Sequence, residues 1–246
     1  MKKIFDLLFV SIFAIVGFVS CDSKKEYTTV AEDNSGYSIS TDVLDSIALL
    51  PNSKTLSVDI MEALSARRTE RAFSNDNLTN QQIADLLWAA NGVNRAGDGK
   101  RTAPSARNAQ EIDVYLFTPV AIYRYEAVSH SLKLVKEGDY RTSAGTQPFY
   151  AAASVAISLV VDFDKMEGFD DPVPMPVRGL SVYGLSAHAF YSATDVGYVS
   201  QNIYLYCAAE NLGTVVCGSV DREAVANLLG IQNGKVLLSH AIGVLN

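Results

Sequence analysis

The chain has 246 residues, of which 48% are hydrophobic, which suits one domain with a sizeable core. Its net charge of -7 argues against a nucleic-acid-binding function, because that function needs a cationic surface. The 3 histidines are widely separated, so no metal-ligand spacing is present and we predict no metal site.

The N-terminus has the layout of a secretory signal. Lys2 and Lys3 precede a largely apolar run at residues 7–19, which is shorter than the roughly 20 residues of a membrane-spanning helix. Residues 18–21, Phe-Val-Ser-Cys, resemble a bacterial lipobox, in which the cysteine is acylated. We therefore predict a lipid anchor on Cys21, the alternative being an ordinary secreted protein with an incidental cysteine.

These features predict three regions along the chain. Residues 1–20 form a signal peptide, residues 21–40 a polar tether and residues 41–246 a single folded domain. The protein is expected to be an exported, membrane-anchored lipoprotein of the bacterial cell envelope.

The first helix is predicted over residues 57–68, with Ile60, Met61 and Leu64 on one face as core residues. This helix ends in three arginines, Arg67, Arg68 and Arg71. Such a cluster either lies in solvent near the helix C-terminus or binds phosphate through planar guanidinium groups. Spacing alone favours the solvent-exposed interpretation.

The second helix has a clear start and end. A capping box from Thr79 to Gln82 begins it and Gly92 ends it, with Trp88 predicted at the edge of its buried stripe. The following residues 94–100 are predicted to be a flexible connection, because their isolated Gly-x-Gly is too weak to indicate a nucleotide loop.

Residues 101–110 combine a proline with small and short polar side chains, which favours a turn with unpaired backbone donors. A strand follows at once, with Ile112, Val114 and Leu116 facing one way. We interpret the pair as a binding loop on a rigid strand, suited to a planar ligand with polar edges.

The middle of the chain mixes strands with irregular segments. Residues 121–126 and 131–136 predict a hairpin, and the apolar residues 154–161 predict a central strand covered on both faces. Residues 165–180 contain spaced prolines and are a candidate lid. Strands that follow one another directly predict an α+β fold with a substantially antiparallel sheet.

The C-terminal part is predicted to begin with a long helix over residues 195–212, stopped by Gly213. A short strand at 214–217, a helix capped by Asp221 and a last strand at 235–245 follow.

Cys207 and Cys217 are consistent with a disulfide or with two free thiols. Their positions in a helical pattern and at a strand end favour small buried side chains over a disulfide.

Several segments together resemble the FMN-dependent nitroreductase family, in the family's order. They are residues 63–73, 86–92, 101–110, 195–202, 212–221 and 241–243. The resemblance implies a three-layer α/β/α sandwich with a mainly antiparallel central sheet. It also implies a homodimer that binds FMN in a groove at the dimer interface.

The resemblance assigns cofactor-binding residues in three groups. The phosphate and the flavin edge are bound by Arg67, Arg68 and Thr69, with an additional contact from Arg71. The loop that reaches the flavin from the partner subunit comprises Pro104, Ser105, Ala106 and Asn108, with Gln110 at its base. The turn beside the isoalloxazine ring comprises Val216, Cys217, Gly218 and Ser219.

The implied activity is alternating transfer of hydride or electrons from a small-molecule donor through FMN to an electron-poor acceptor. No catalytic side chain is expected, because the flavin carries the chemistry. Tyr183, Phe190 and Tyr191 are candidates for stacking on an aromatic acceptor, with core packing as the alternative. The alternative function is a non-catalytic flavin- or ligand-binding envelope lipoprotein on the same fold.

One expectation concerns the end of the sequence. Family members often carry a Lys or Arg just beyond the final strand, and many continue into an arm that embraces the partner. The sequence given ends at Asn246, so we expect the phosphate to depend more heavily on Arg67 and Arg71.

Overall fold

The computed structural model describes residues 38–53, 55–169 and 186–246 of the chain. Their largest unit is a seven-stranded sheet in which neighbouring strands are antiparallel. In spatial order its strands are β1 (Ser46–Ala48), β6 (Ser131–Glu137), β5 (Ala121–Glu126), β4 (Ile112–Phe117), β7 (Val155–Asp162), β9 (Gly234–Val244) and β8 (Leu212–Cys217). A separate small hairpin consists of β2 (Val93–Arg95) and β3 (Lys100–Arg101). The α-helices of the described residues are α1 (Ile60–Ala66), α2 (Asn80–Asn91), α3 (Ala187–Ala209) and α4 (Arg222–Leu229).

The sheet is covered on both faces, which makes three layers. Helices α2 and α3 supply much of the core on one face, together with Ile112, Val114 and Leu116 of β4. Helix α4 packs into a second core, which Tyr115 and Phe117 join from the other face of β4. The α+β sandwich with a mainly antiparallel sheet is therefore confirmed, as is the shared face of alternate β4 residues.

Strand β7 lies in the interior of the sheet, between β4 and β9. Its residues alternate between the two cores and are buried from Val155 to Val161. The predicted central strand is confirmed, because an apolar run without polar alternation suits a strand covered on both faces. The β5–β6 hairpin is confirmed as well.

The start of α2 is the predicted capping box. Thr79 accepts a hydrogen bond from the N–H of Gln82, and the Gln82 side chain accepts one from the N–H of Thr79. Trp88 is half-buried at the edge of the helix, as predicted, and donates its indole N–H to the carbonyl of Val93 at 3.1 Å.

Three boundaries differ from the predictions. Residues 94–100 are not simply a flexible connection, because Val93 and Arg101 pair across the β2–β3 hairpin. Helix α3 begins eight residues early, since the Ser186 side chain caps it by accepting from the N–H of Ala189. Gly213 does not stop α3 but lies in β8.

The backbone conformation of Asn211 explains where α3 ends. The helix ends at Ala209, and Asn211 then turns the chain with a φ of 53°. Asparagine tolerates this left-handed conformation better than most residues. Strand β8 can therefore start at Leu212, two residues before its predicted start.

Helix α1 is shorter than predicted, and its apolar face is not buried. Asp59 caps it at the N-terminus, and Ala63 is its buried residue. Ile60, Met61 and Leu64 are 59%, 69% and 46% exposed, so their prediction as core residues is wrong. Periodicity correctly indicated one apolar face, but this face is exposed.

Two further expectations concern cysteines and undescribed residues. Cys207 and Cys217 are buried free thiols, so the preferred interpretation is confirmed. The predicted signal peptide and Cys21 lie outside the described residues, as do residues 170–180 of the candidate lid.

Candidate functional site

The arginine segment, residues 67–71, leaves the end of α1 and runs beside the edge of the sheet. Its first residue, Arg67, caps α1 by donating its backbone N–H to the carbonyl of Ala63. The N–H of Glu70 donates to the carbonyl of Thr214 at 2.9 Å, which ties the segment to β8. The backbone is therefore held in place while the arginine side chains remain exposed.

The arginines differ in their partners. Arg68 forms an ion pair with Glu70. Arg67 and Arg71 form no ion pair within the described part of the chain. The Arg67 guanidinium carbon lies 5.4 Å from the ring centre of Tyr204. Two cations of the segment are therefore available for an anion.

Phe73 anchors the chain just beyond the arginine segment. Its ring lies so close to Gly243 of β9 that a Cβ on Gly243 would come within 2.7 Å of the Phe73 Cγ atom. The N–H of Ser74 then donates to the carbonyl of Val244 at 2.8 Å. Glycine is required in β9 because the aromatic ring occupies the space of a side chain.

Tyr204 of α3 joins the arginine segment to β8. Its hydroxyl lies 3.0 Å from the Thr69 hydroxyl and accepts a hydrogen bond from the N–H of Val216 at 3.0 Å. Thr69 and Val216 were both predicted site residues, and the structure brings them together through this side chain. Tyr204 was not among the predicted site residues, although a tyrosine on a buried helical stripe needs a partner for its hydroxyl.

A buried polar network packs against Tyr204. His240 of β9 is fully buried, with its ring centre 5.4 Å from that of Tyr204. The ring nitrogens of His240 lie 2.9 Å from the Ser200 hydroxyl and 3.1 Å from the Thr214 hydroxyl. Burial lowers the pKa of His240 to about 3, so the imidazole is neutral at physiological pH.

The glycine turn, residues 216–219, follows directly from β8. Val216 is half-buried and Cys217 is buried, whereas Gly218 and Ser219 are exposed. A Cβ built on Gly218 would meet no atom within 4 Å, so the backbone at this position is open to a ligand.

Contacts on its outer side hold the glycine turn in place. The Ser219 hydroxyl lies 2.9 Å from that of Thr146, and Arg222 donates to the carbonyl of Gly218 at 3.0 Å. The turn is thus a fixed, open surface next to the arginine segment.

The proline loop, residues 101–110, is closed at its base by Arg101 and Gln110. The Arg101 guanidinium donates to the Gln110 side chain at 2.9 Å and to the carbonyl of Asn91 at 3.0 Å. The N–H of Gln110 donates to the Ser105 hydroxyl at 2.9 Å. The predicted position of Gln110 at the base of the loop is confirmed.

The remaining predicted loop residues lie on an accessible surface. Pro104 and Asn108 are exposed, whereas Ser105 and Ala106 are half-buried. Arg107 and Asn108 have positive φ angles of 53° and 58°, which give the loop a tight, left-handed bend.

Two anchors fasten the proline loop to the body of the domain. The N–H of Ala106 donates to the Asp195 carboxylate of α3 at 2.7 Å. Arg107 donates to the carbonyl of Gly168 at 2.8 Å, and its guanidinium lies 4.7 Å from the ring centre of Phe169. Sequence analysis did not assign a role to Asp195, which supports a loop residue 89 positions away.

The proline loop and the arginine segment contact different sides of α3. Asp195 and Tyr204 are nine residues apart, which is about 2.5 helical turns and about 14 Å along the axis. Because the separation includes a half turn, the two side chains lie on opposite faces of α3. One chain therefore brings the arginine segment and the glycine turn together, but it does not bring the proline loop to them.

The aromatic candidates for acceptor stacking contact one another. Tyr191 packs edge-on against Phe169 at 5.5 Å and against Phe190 at 5.2 Å between ring centres. These contacts favour the packing alternative for both residues. Tyr183 lies outside the described residues.

The described residues contain no cluster of three or more His, Cys, Asp or Glu side chains that could hold a metal ion. Among the same residues, no helix is long and apolar enough to cross a membrane.

Comparison with known proteins gives consistent matches. A model of the Nitroreductase family matches residues 64–244. A protein assigned as a nitroreductase in Methanocaldococcus jannaschii is 25% identical over 191 residues, which cover 74% of this chain and 89% of that protein.

Solved structures match the fold. A protein from Ralstonia eutropha JMP134, also assigned as a nitroreductase, is similar with a TM-score of 0.71 and 33% identity, over 82% of this chain and 90% of its own. The NADPH:FMN oxidoreductase of Vibrio harveyi, in complex with NAD+, has a TM-score of 0.50 and 19% identity, over 76% of this chain and 69% of its own.

Proposed function

The chain belongs to the Nitroreductase family of oxidoreductases, and from this premise we propose that it is an FMN-dependent enzyme acting on an electron-poor acceptor. The main support for the proposal is the contact of Tyr204 with both Thr69 and Val216. There the arginine segment and the open glycine turn are held next to each other. The name of the Vibrio harveyi relative, an NADPH:FMN oxidoreductase, supports FMN as the cofactor.

The arginine segment fits a phosphate group. Arg67 and Arg71 are exposed cations without an acidic partner among the described residues. A phosphate carries up to two negative charges, and guanidinium groups bind its oxygens through paired N–H donors. Arg67 and Arg71 would hold the phosphate, with Arg68 and Thr69 beside the flavin edge.

The glycine turn fits the edge of a planar ring. Gly218 has no side chain to obstruct an approaching ligand, and the turn is fixed through Ser219 and Arg222. When bound, FMN supplies the capacity to accept and donate a hydride or electrons. The chain's own contribution is to bind and orient the ring, and a backbone N–H, that of Gly218, would stabilise negative charge on reduction.

The proposed enzyme is a homodimer in which the proline loop completes the partner's site. Its support is the separation of the proline loop and the arginine segment on opposite faces of α3. The exposed apolar side chains of Ile60, Met61 and Leu64 give further support, because such a cluster is costly in water and suited to a protein interface. Tyr198 of α3 is also exposed, at 46%.

Export and lipid anchoring belong to the same proposal. They rest on the sequence around Cys21, which resembles a lipobox after an apolar segment. Globomycin sensitivity and labelling with a radioactive fatty acid would test the anchor, and a Cys21→Ala variant that still incorporates label would contradict it.

The colour of the purified protein tests the cofactor. We expect a yellow protein that releases FMN on denaturation, with about one FMN per chain. A colourless protein that fails to take up added FMN would contradict the proposal.

Anaerobic mixing with NADH or NADPH then tests the chemistry. Loss of the yellow absorbance, restored by a nitroaromatic or quinone acceptor, is the expected result. Stable FMN binding, with a dithionite-reduced flavin that passes electrons to these acceptors no faster than free reduced FMN does, would instead favour the non-catalytic lipoprotein.

A further inference from the structure

The Glu111 carboxyl group lies in an unusual environment directly beneath the proline loop. Glu111 is fully buried and follows the last residue of the loop. Neither of its carboxyl oxygens has a hydrogen-bond partner of good geometry among the described residues. An ionised carboxylate without a donor is strongly unfavourable in such a place.

The Glu111 side chain interacts with the carboxyl group of Asp195, which is itself only 3% exposed. Two carboxyl groups can hydrogen-bond to each other only when one of them carries a proton. An oxygen of Asp195 accepts a hydrogen bond from the N–H of Ala106, whereas the Glu111 oxygens accept none of good geometry. Glu111 is therefore the member of the pair that holds the proton.

The surroundings of Glu111 favour this arrangement. Burial raises the pKa of Glu111 to about 7, and its own backbone N–H opposes this shift, while the hydrogen bond and charge of Asp195 add to it. The cation that opposes this shift is Lys165. However, the Lys165 ammonium group already pairs with Asp113 at 2.6 Å and with Asp162 at 3.7 Å.

The other nearby cation is also engaged. Arg101 faces the small space between the loop and α3, but its guanidinium donates to Gln110 and to the carbonyl of Asn91. This space has a volume of about 10 Å³, close to the minimum for one water molecule. It borders Asp195.

We propose that Glu111 is a positioning residue for cofactor binding, because its proton fixes Asp195 and, through Asp195, the backbone of Ala106. The protonated Glu111 donates to Asp195, and Asp195 accepts from Ala106 at the same time. Loss of the proton to solvent leaves two adjacent carboxylates, whose repulsion loosens the loop. The inference rests on the proposed function, in which the proline loop contacts FMN.

Titration of the protein with FMN at several pH values tests this role. We expect the Kd of the wild-type protein for FMN to rise about tenfold between about pH 6 and about pH 9. Glu111→Gln should bind FMN with the low-pH affinity throughout, because the amide N–H donates to Asp195 at every pH. The FMN phosphate titrates equally in both experiments, so the difference between the two proteins isolates Glu111.

Asp195→Asn is the matched second variant. Its amide can donate to an ionised Glu111 and accept from Ala106, so its affinity for FMN should also lose the pH dependence. A wild-type Kd that does not change with pH, or a Glu111→Gln protein that retains the wild-type change, would overturn the inference while leaving FMN binding established.

Infrared spectroscopy of the cofactor-free protein gives an independent readout. We expect a protonated-carboxyl C=O band that disappears between about pH 6 and about pH 9 and is absent from Glu111→Gln. Absence of this band from the wild-type protein would overturn the inference. If the protein binds no FMN at any pH, the proposed function and the role in cofactor binding both fail, and the band alone decides where the proton lies.

Discussion

The arginine segment and the proline loop are both fastened to α3, but the groups that fasten them differ in acidity. Tyr204 holds the arginine segment through hydroxyl and backbone groups, above a His240 whose pKa lies far below neutral pH. Asp195 and Glu111 hold the proline loop through carboxyl groups, and the pKa of Glu111 is raised to about 7. The first region should therefore be insensitive to pH near neutrality, whereas the second should respond to it.

The pH dependence of the free energy of unfolding also has opposite signs for the two regions. The pKa of His240 is lowered from 6.5, so its contribution is present above about pH 6.5 and is lost as the pH falls toward 3. The pKa of Glu111 is raised from 4.5 to about 7, so its contribution is present below about pH 4.5 and is lost as the pH rises. Between these limits the two effects oppose each other.

The largest effect is expected from His240→Leu. The change removes hydrogen bonds to Ser200 and Thr214 at a fully buried position, which should lower the free energy of unfolding by about 3 kcal/mol. Urea unfolding at neutral pH measures this loss. Ser200→Ala is the control, with an expected loss of about 1 kcal/mol, since the contact with Thr214 remains. An equal loss in both variants would contradict the network.

Arg67→Ala should have the next largest effect, on cofactor retention. Removing a charge-assisted phosphate contact should weaken FMN binding by about 2 kcal/mol, or roughly thirtyfold. Equilibrium titration measures the Kd. Lys133→Ala removes the same charge from β6, near the other edge of the sheet, and should leave the Kd unchanged. Equal binding by both variants would show that the arginine segment does not hold the phosphate.

Glu111→Gln separates the two opposing pH effects on stability. Between about pH 4.5 and about pH 6.5 each effect changes the free energy of unfolding by up to about 1.4 kcal/mol per pH unit. The wild-type protein should show a nearly flat profile in this range. Without the Glu111 carboxyl group, stability should rise with pH as His240 loses its proton in the unfolded state.

His240→Leu should show the reverse slope in the same range, with stability falling as the pH rises. Urea unfolding at half-unit pH intervals measures both profiles. Identical slopes in the two variants would show that Glu111 and His240 are not the groups responsible.

Features that depend on neighbouring residues could be predicted from the sequence. The capping box of α2 joins Thr79 and Gln82, three residues apart, and β7 is an uninterrupted apolar run. The arginine segment, the proline loop and the glycine turn were found because each is a contiguous motif of a known family.

Features that depend on distant residues could not be predicted in this way. Tyr204 contacts a hydroxyl 135 positions away in the chain, and His240 contacts one 40 positions away. Periodicity identified the apolar face of α1 but not its partner, so Ile60 and its neighbours were wrongly placed in the core. Burial of a polar group becomes visible only when the elements around it are assembled.

Tyr204→Phe should have the smallest of these effects and gives the most direct comparison of the two regions. The aromatic ring and its contact with Arg67 remain, but Thr69 and the N–H of Val216 lose their shared partner. The free energy of unfolding should fall by about 1 kcal/mol, and FMN binding should weaken several-fold because both residues border the proposed site. This weakening relative to the wild-type protein should be the same at about pH 6 and about pH 9, since the change leaves Glu111 and Asp195 in place. FMN titrations of Tyr204→Phe in parallel with Glu111→Gln measure it, and a pH-dependent difference from wild type would mean that the arginine segment and the proline loop are not held independently.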